Sequence, residues 1–210
     1  MEGEILHKKN QSIRNFPADV SSVIDSLNYF HPLSDRIKNY FRKYSFSCSF
    51  RKGKLVLKAG HVCEHIYFIK KGAVRGFIKE GSKDITTWIT VEGEVVSSIS
   101  SLDKREPALE NMQAIEDCEM IALNLSDYQK LFDRFPEFNI VARKILQKYY
   151  QDAEGRAFIA RLTKAENKYR LFVIRYGHLA NRIPLKYIAS FLGMTLETLS
   201  RVRKKLSLKK

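Results

Sequence analysis

Residues 185–204 read LKYIASFLGMTLETLSRVRK. Apolar side chains at Ile188, Leu192, Met194, Leu199 and Val202, with small Ala189 and Gly193 four apart between them, predict two short helices crossing at a tight turn. A small side chain suits the point where the helices touch, and glycine suits a turn that takes φ > 0. Stepping 100° per residue along the second helix puts Leu199, Val202 and Leu206 on one side. Glu197, Arg201 and Lys204 fall opposite, flanked by Ser200 and Lys205. One face is therefore core. The other presents a carboxylate, a guanidinium and an ammonium group.

That polar face suits a DNA groove. Arginine can bond guanine O6 and N7 together, and a carboxylate can accept from cytosine N4. Thr195, Thr198, Arg203 and Lys205 suit phosphates, which fix register without carrying sequence information. Thr195 also stands where an N-cap is needed, aiming free backbone N–H groups at a phosphate chain. The plainer alternative is a helical hairpin with a solvated charged face. Charge distribution argues for the reader. Residues 161–210 hold 13 Lys/Arg against Glu166 and Glu197, which is +11 of the chain's total of +14. A near-neutral body with a basic end is the footprint of a module that binds a polyanion.

The composition is that of an ordinary globular protein, 44% hydrophobic and 29% charged over 210 residues, enough for two small domains. No apolar run approaches the ~18 residues of a membrane span, and the N-terminus has no signal-peptide core, so a cytoplasmic chain with no membrane partner is expected. Cys48, Cys63 and Cys118 are odd in number and contain no CxxC, as free thiols would be. No nucleophile–base pair, nucleotide loop or paired acidic motif supports an enzyme.

Upstream, residues 1–32 suggest helical fragments broken by Pro17 and Pro32, and Ser34 can cap a helix through Ile37, Tyr40 and Phe41. From Tyr44 to Asn124 short β-rich runs appear: 54–58, 65–71, 73–79, 84–91 and 118–124, punctuated by glycines 53, 60, 72, 81 and 93. They predict a compact antiparallel β domain. Ser126–Gln129 reads as a capping box, and so does Thr163–Glu166. Between them a long helix follows Pro136, with Phe138, Ala142, Ile145 and Tyr149 spaced four and three apart as a dimer seam. The domains expected are residues 1–135, 136–162 and 163–210.

A β-roll, a long dimer helix and a C-terminal helix-turn-helix together resemble the Crp/Fnr family, the cyclic-AMP receptor and fumarate–nitrate regulator type. The most specific segments are YSFSCSFRKGKLVLKAGHVCEHIYFIKKGAVRGF (44–77) and IPLKYIASFLGMTLETLSRVRKKL (183–206). The resemblance implies an α+β chain: an N-terminal double-stranded β-roll, a dimerisation helix and a helix-turn-helix. It further implies a homodimeric transcription factor on a palindromic operator, a small-molecule effector in the roll, and RNA polymerase as a candidate partner. The family's base-reading positions match Leu196, Glu197 and Arg201.

Three departures stand out. The family's cyclic-nucleotide cassette carries Gly-Glu and Arg-Ser/Thr pairs, but Ser97-Ser98 and Ala108-Leu109 stand there, so the usual grip on cyclic AMP is not expected. Arg105 substitutes only if the loop is redistributed. No cysteine precedes Cys48, which removes the iron–sulfur route, and only four residues follow Leu206, too few for a wing. The effector is unidentified and no cofactor is implied. Arg75, Ser97, Ser98 and Arg105 are the candidate pocket residues, although Arg75 could equally reach solvent and the serines could satisfy their own turn. His61, Cys63 and His65 alternate as a soft-metal or thiol sensor requires, but lack a fourth ligand, and no metal is assigned. The remaining alternative is a ligand-binding module whose basic end docks an acidic protein.

Overall fold

The computed structural model describes residues 18–207. The expectations for residues 1–17 and for the tail beyond Ser207 lie outside them. Helices α1 (Ser21–Phe30) and α2 (Asp35–Tyr44) precede eight strands: β1 (Phe46–Phe50), β2 (Leu55–Leu57), β3 (His65–Lys71), β4 (Val74–Glu80), β5 (Lys83–Thr90), β6 (Val95–Val96), β7 (Asn111–Ala114) and β8 (Cys118–Asn124). A short helix α3 (Ile99–Lys104) interrupts the strands. They are followed by α4 (Leu125–Arg134), α5 (Phe138–Arg161), α6 (Ala165–Tyr176), α7 (Leu185–Phe191) and α8 (Leu196–Ser207). The strands form two four-stranded sheets, ordered β1-β8-β3-β6 and β2-β7-β4-β5. This is the expected β-roll with helices after it.

Contacts gather into two units, one of residues up to Gly76 with Ile89–Leu146, the other of Phe77–Trp88 with Gln147 onward. The division falls inside α5 and not at residues 135 and 162. The physical reason lies in what each half of that helix buries.

In the first unit, α1, α2, α4 and the start of α5 lie on the outer face of one sheet. Val23, Ile24 and Leu27 meet Ile37, Tyr40 and Phe41 over Phe68, Ile121 and Leu123, and Leu131, Phe135, Phe138, Val141 and Ala142 close the layer. Ser34 precedes α2 as expected, but its hydroxyl donates to Glu137 (3.0 Å) instead of capping the helix. The Ser126 box is likewise absent: α4 starts at Leu125 without a side-chain cap. A register shift between Ile69 and Lys71 interrupts the β3–β8 ladder before the pair Lys71–Glu119. Beyond it Gly72 takes φ +102°, and a Cβ there would lie 2.6 Å from the Asp117 carbonyl and 2.7 Å from Cys118 Sγ. Gly72→Ala is expected to cost roughly 2–5 kcal/mol, from positive φ plus overpacking, read as a lower urea midpoint.

Of the expected seam residues Phe138, Ala142, Ile145 and Tyr149, the first three face the chain's own core and Tyr149 is half-buried. Phe138 and Ala142 are 3% and 6% exposed and Ile145 packs against the same core, so this face closes onto its own chain. Continuing the frame, Asp152 and Arg156 are half-buried and Ile159 is 1% exposed. The solvent side of α5 is one residue over, at Leu146, Tyr150, Ala153, Ala157 and Ala160, all exposed and again spaced four and three apart.

In the second unit, Tyr169 and Phe172 of α6 pack with Leu179, Ile183, Ile188, Ala189, Leu192 and Leu199 as its buried apolar residues. Phe191 meets the rings of Phe172 and Tyr176, each centroid 5.8 Å away. Gly155 leaves room on α5 for the Arg175 guanidinium to lie against the helix.

Candidate nucleic-acid interface and effector region

The two-helix turn is built by its backbone. Helix α7 ends with Gly193 at φ +61°, its N–H donating to the Ser190 carbonyl (3.1 Å) while Met194 N–H reaches the Ala189 carbonyl (3.0 Å). That is a Schellman closure, which needs the left-handed residue that glycine supplies without strain. Lys168 Nζ donates to the Leu192 carbonyl (3.0 Å), placing a cation on the negative end of α7. Ile188, Ala189, Leu192 and Leu199 are buried as the spacing predicted, whereas Met194 and Val202 are half-buried.

Helix α8 starts where Thr195 caps it, the Thr198 N–H donating to Thr195 Oγ1 (3.2 Å). Glu197, Ser200, Arg201, Lys204 and Lys205 are exposed, and Leu196 is 43% exposed beside them. The Glu197 carboxyl is held below the usual range by its own backbone N–H, the Thr195 hydroxyl and the Arg201 charge. It is therefore ionised at neutral pH and acts only as an acceptor. Arg201 Nη2 stands 3.5 Å from Thr198 Oγ1, a loose contact that leaves the guanidinium available.

Two of the phosphate candidates have work inside the domain. Arg203 is folded back, Nη1 donating to the Ala180 carbonyl and Nη2 to Asn181 Oδ1, both at 3.0 Å. It ties α8 to the turn after α6, a role within the domain beside the phosphate contact expected of it. Lys205 Nζ lies 2.9 Å from Glu166 Oε2, and Arg170 lies 3.1 Å from Glu166 Oε1. The two cations hold the Glu166 carboxyl down at about 2. Glu166 thus pairs across the surface instead of closing the predicted capping box, since α6 has no side-chain cap. Among the described residues no strand follows α8.

The effector candidates stand in different local settings. Arg75 is 4% exposed in β4, its Nε donating to Gln113 Oε1 (2.9 Å), which settles it inside the protein. Ser97 Oγ reaches the His65 carbonyl at 3.4 Å and lies 3.4 Å from Cys63 Sγ. Ser98 is buried, and Ser101, at the end of the same serine run, takes the Cys63 N–H (2.9 Å) and donates to the Glu106 carbonyl (2.6 Å). Arg105 ends α3 at φ +57° with its side chain exposed. Ala108 is 2% exposed and Leu109 85% exposed, so neither a guanidinium nor a hydroxyl stands at the second cassette pair. Burial pushes the Cys48 and Cys118 thiols up to about 12 and about 11, which keeps them protonated. Among the described residues no three His, Cys, Asp or Glu gather as metal ligands.

Residues 47–135 match the family model of the cyclic nucleotide-binding domain. Over 182 residues the chain is 26% identical to the cyclic AMP receptor protein of Thermus thermophilus, covering 82% of each. Over residues 47–135 the chain thus resembles cyclic nucleotide-binding domains in sequence as well as in fold. Solved structures agree in fold. FixK2 from Bradyrhizobium japonicum superposes with a TM-score of 0.68 at 21% identity, over 79% of this chain and 85% of that one. A CooA mutant from Carboxydothermus hydrogenoformans gives 0.67 at 16%, over 94% and 88%. No described helix is long and apolar enough to cross a membrane.

Proposed function

We propose that this chain is a homodimeric, cytoplasmic transcriptional regulator of the Crp/Fnr type that reads a palindromic duplex with α8. The observation that carries this reading is the exposed Glu197–Arg201–Lys204 face above a closed two-helix turn, within the segment that holds most of the chain's net charge. Glu197 and Arg201 read base edges, and Leu196 offers apolar contact to a thymine methyl. Thr195, Thr198, Ser200, Lys204 and Lys205 supply the remaining contacts, with the phosphates as the chief partners of the threonines and Lys205. The dimer forms along Leu146, Tyr150, Ala153, Ala157 and Ala160, where three alanines allow close approach of two helices. RNA polymerase is the further partner such a regulator meets. The roll takes its effector without the arginine–hydroxyl grip on a cyclic phosphate.

Selection of duplexes from a random pool tests the reading. A palindrome with half-sites about one helical turn (~34 Å) apart supports it, and no enrichment overturns it in favour of a module that docks an acidic protein. Lys205→Ala is expected to weaken all duplexes alike and to flatten the slope of log Kd against log salt by about one. Its pair with Glu166 is exposed and weak, so a phosphate competes for it readily.

A further inference from the structure

Residues 161–210 carry 13 Lys/Arg and only two carboxylates, and one of these, Glu197, faces outward beside Arg201. The other, Glu166, stands in the first turn of α6 between two cations. Its Oε1 accepts from Arg170 Nη2 at 3.1 Å, and its Oε2 accepts from Lys205 Nζ at 2.9 Å. Arg170 is one turn along the same helix, the ordinary spacing of a helical ion pair. Lys205 comes from α8, 39 positions away, so one carboxylate gathers cations from two helices. The Glu166 side chain is 26% exposed, against 52% for Arg170 and 60% for Lys205. The carboxylate is thus the inner group and the cations are the outer ones.

Two donors from different side chains, one on each oxygen of an O–C–O group, can equally take two oxygens of a phosphate. Each cation also has N–H groups to spare, since a guanidinium carries five and an ammonium three. We infer that Arg170 and Lys205 form a seat for one backbone phosphate, and that Glu166 is its built-in competitor. This rests on the DNA reading proposed above, in which Lys205 meets a phosphate; Arg170 is a further contact. While Glu166 occupies the seat, the trio presents one net positive charge in place of two. A duplex of any sequence must displace the carboxylate to reach both cations. Exposed ion pairs are weak, so the exchange is open to a phosphate. Glu166 is held down at about 2, so it stays ionised and competes throughout the neutral range. A chain of net charge +14 is drawn to any polyanion. The competitor limits that sequence-independent attraction without touching the base-reading side chains.

Affinity for the selected palindrome and for a scrambled duplex, each at several salt concentrations, tests the seat in the full chain. Glu166→Gln is expected to bind both duplexes roughly three- to tenfold more tightly, the scale of two exposed ion pairs no longer competing. Its slope of log Kd against log salt should steepen by about one, because one more cation meets the DNA. Arg170→Ala is expected to weaken both duplexes alike and to flatten that slope by about one. The deciding comparison is Glu166→Gln made on top of Arg170→Ala and Lys205→Ala. With no seat left to compete for, it should change either affinity by less than about twofold. Tightening that persists in that background marks a long-range effect of charge and overturns the inference. Glu166→Gln that binds both duplexes as wild type does, or more weakly, also overturns it and leaves Glu166 as a plain tie between α6 and α8. Wild type that binds neither duplex overturns the DNA reading itself, and the seat with it.

Discussion

Arg201→Ala is expected to abolish sequence discrimination while leaving general duplex binding largely in place. Its guanidinium stands exposed on α8 with only a long contact to Thr198, so removing it disturbs no buried bond. A bidentate arginine–guanine contact contributes about 1–3 kcal/mol of discrimination, which is about 5- to 150-fold between the selected palindrome and a scrambled duplex. Two such contacts, one in each half-site of a dimer, raise the loss further. The salt slope should change by less than the specific affinity does, because the phosphate contacts remain. Competition of labelled operator against scrambled DNA at two salt concentrations measures both. A variant that keeps wild-type discrimination would remove Arg201 from the base-reading set and leave Glu197 as the principal candidate. Arg203→Ala offers the contrast. That side chain holds the Ala180 carbonyl and Asn181, so its loss acts through the stability of the helical unit and not through any one base pair.

The two arginines show where sequence reading succeeds and where it stops. Helical phase alone placed Arg201 opposite Leu199, and the structure has the first exposed and the second fully buried. Arg203 lies between the two faces, and its direction is decided by a carbonyl left open after α6, which only the tertiary arrangement provides. Strands followed the same division. β3 and β8 were legible to the residue, being unbroken apolar runs between polar turns. β6 has two residues and β7 reads NMQA, without a β-branched side chain, so neither carries a strand signal of its own. α3 hid in a serine run that resembles a turn. The Ser34 cap and the Thr163–Glu166 box misled because Ser34 and Glu166 found stronger partners, Glu137 in one case and two cations in the other.

Helix α5 poses the sharpest version of this problem, and a pair of substitutions resolves it. Periodicity finds an apolar stripe but does not say which partner it faces, and α5 has two stripes one residue apart. Phe138 belongs to the inner one, 3% exposed and within 5.3 Å of the Phe132 ring and 6.1 Å of the Phe41 ring. Phe138→Ala should therefore cost about 3–5 kcal/mol of folding stability. For a chain of this size that lowers the thermal midpoint by roughly 6–20 °C. Tyr150 belongs to the outer stripe at 74% exposure, next to Leu146 at 57%. Tyr150→Asp should leave each protomer folded and place a charge where two helices are to meet. The expected result is a monomer by sedimentation, a midpoint that no longer rises with protein concentration, and loss of cooperative binding to the two half-sites. If Tyr150→Asp remains a dimer while Phe138→Ala dissociates without unfolding, the seam lies on the inner stripe, and the helix must turn over between the lone chain and its assembly. The burial of Phe138, Val141 and Ala142 under α1, α2 and α4 makes that rearrangement expensive, because it would open the core that supports the sheet.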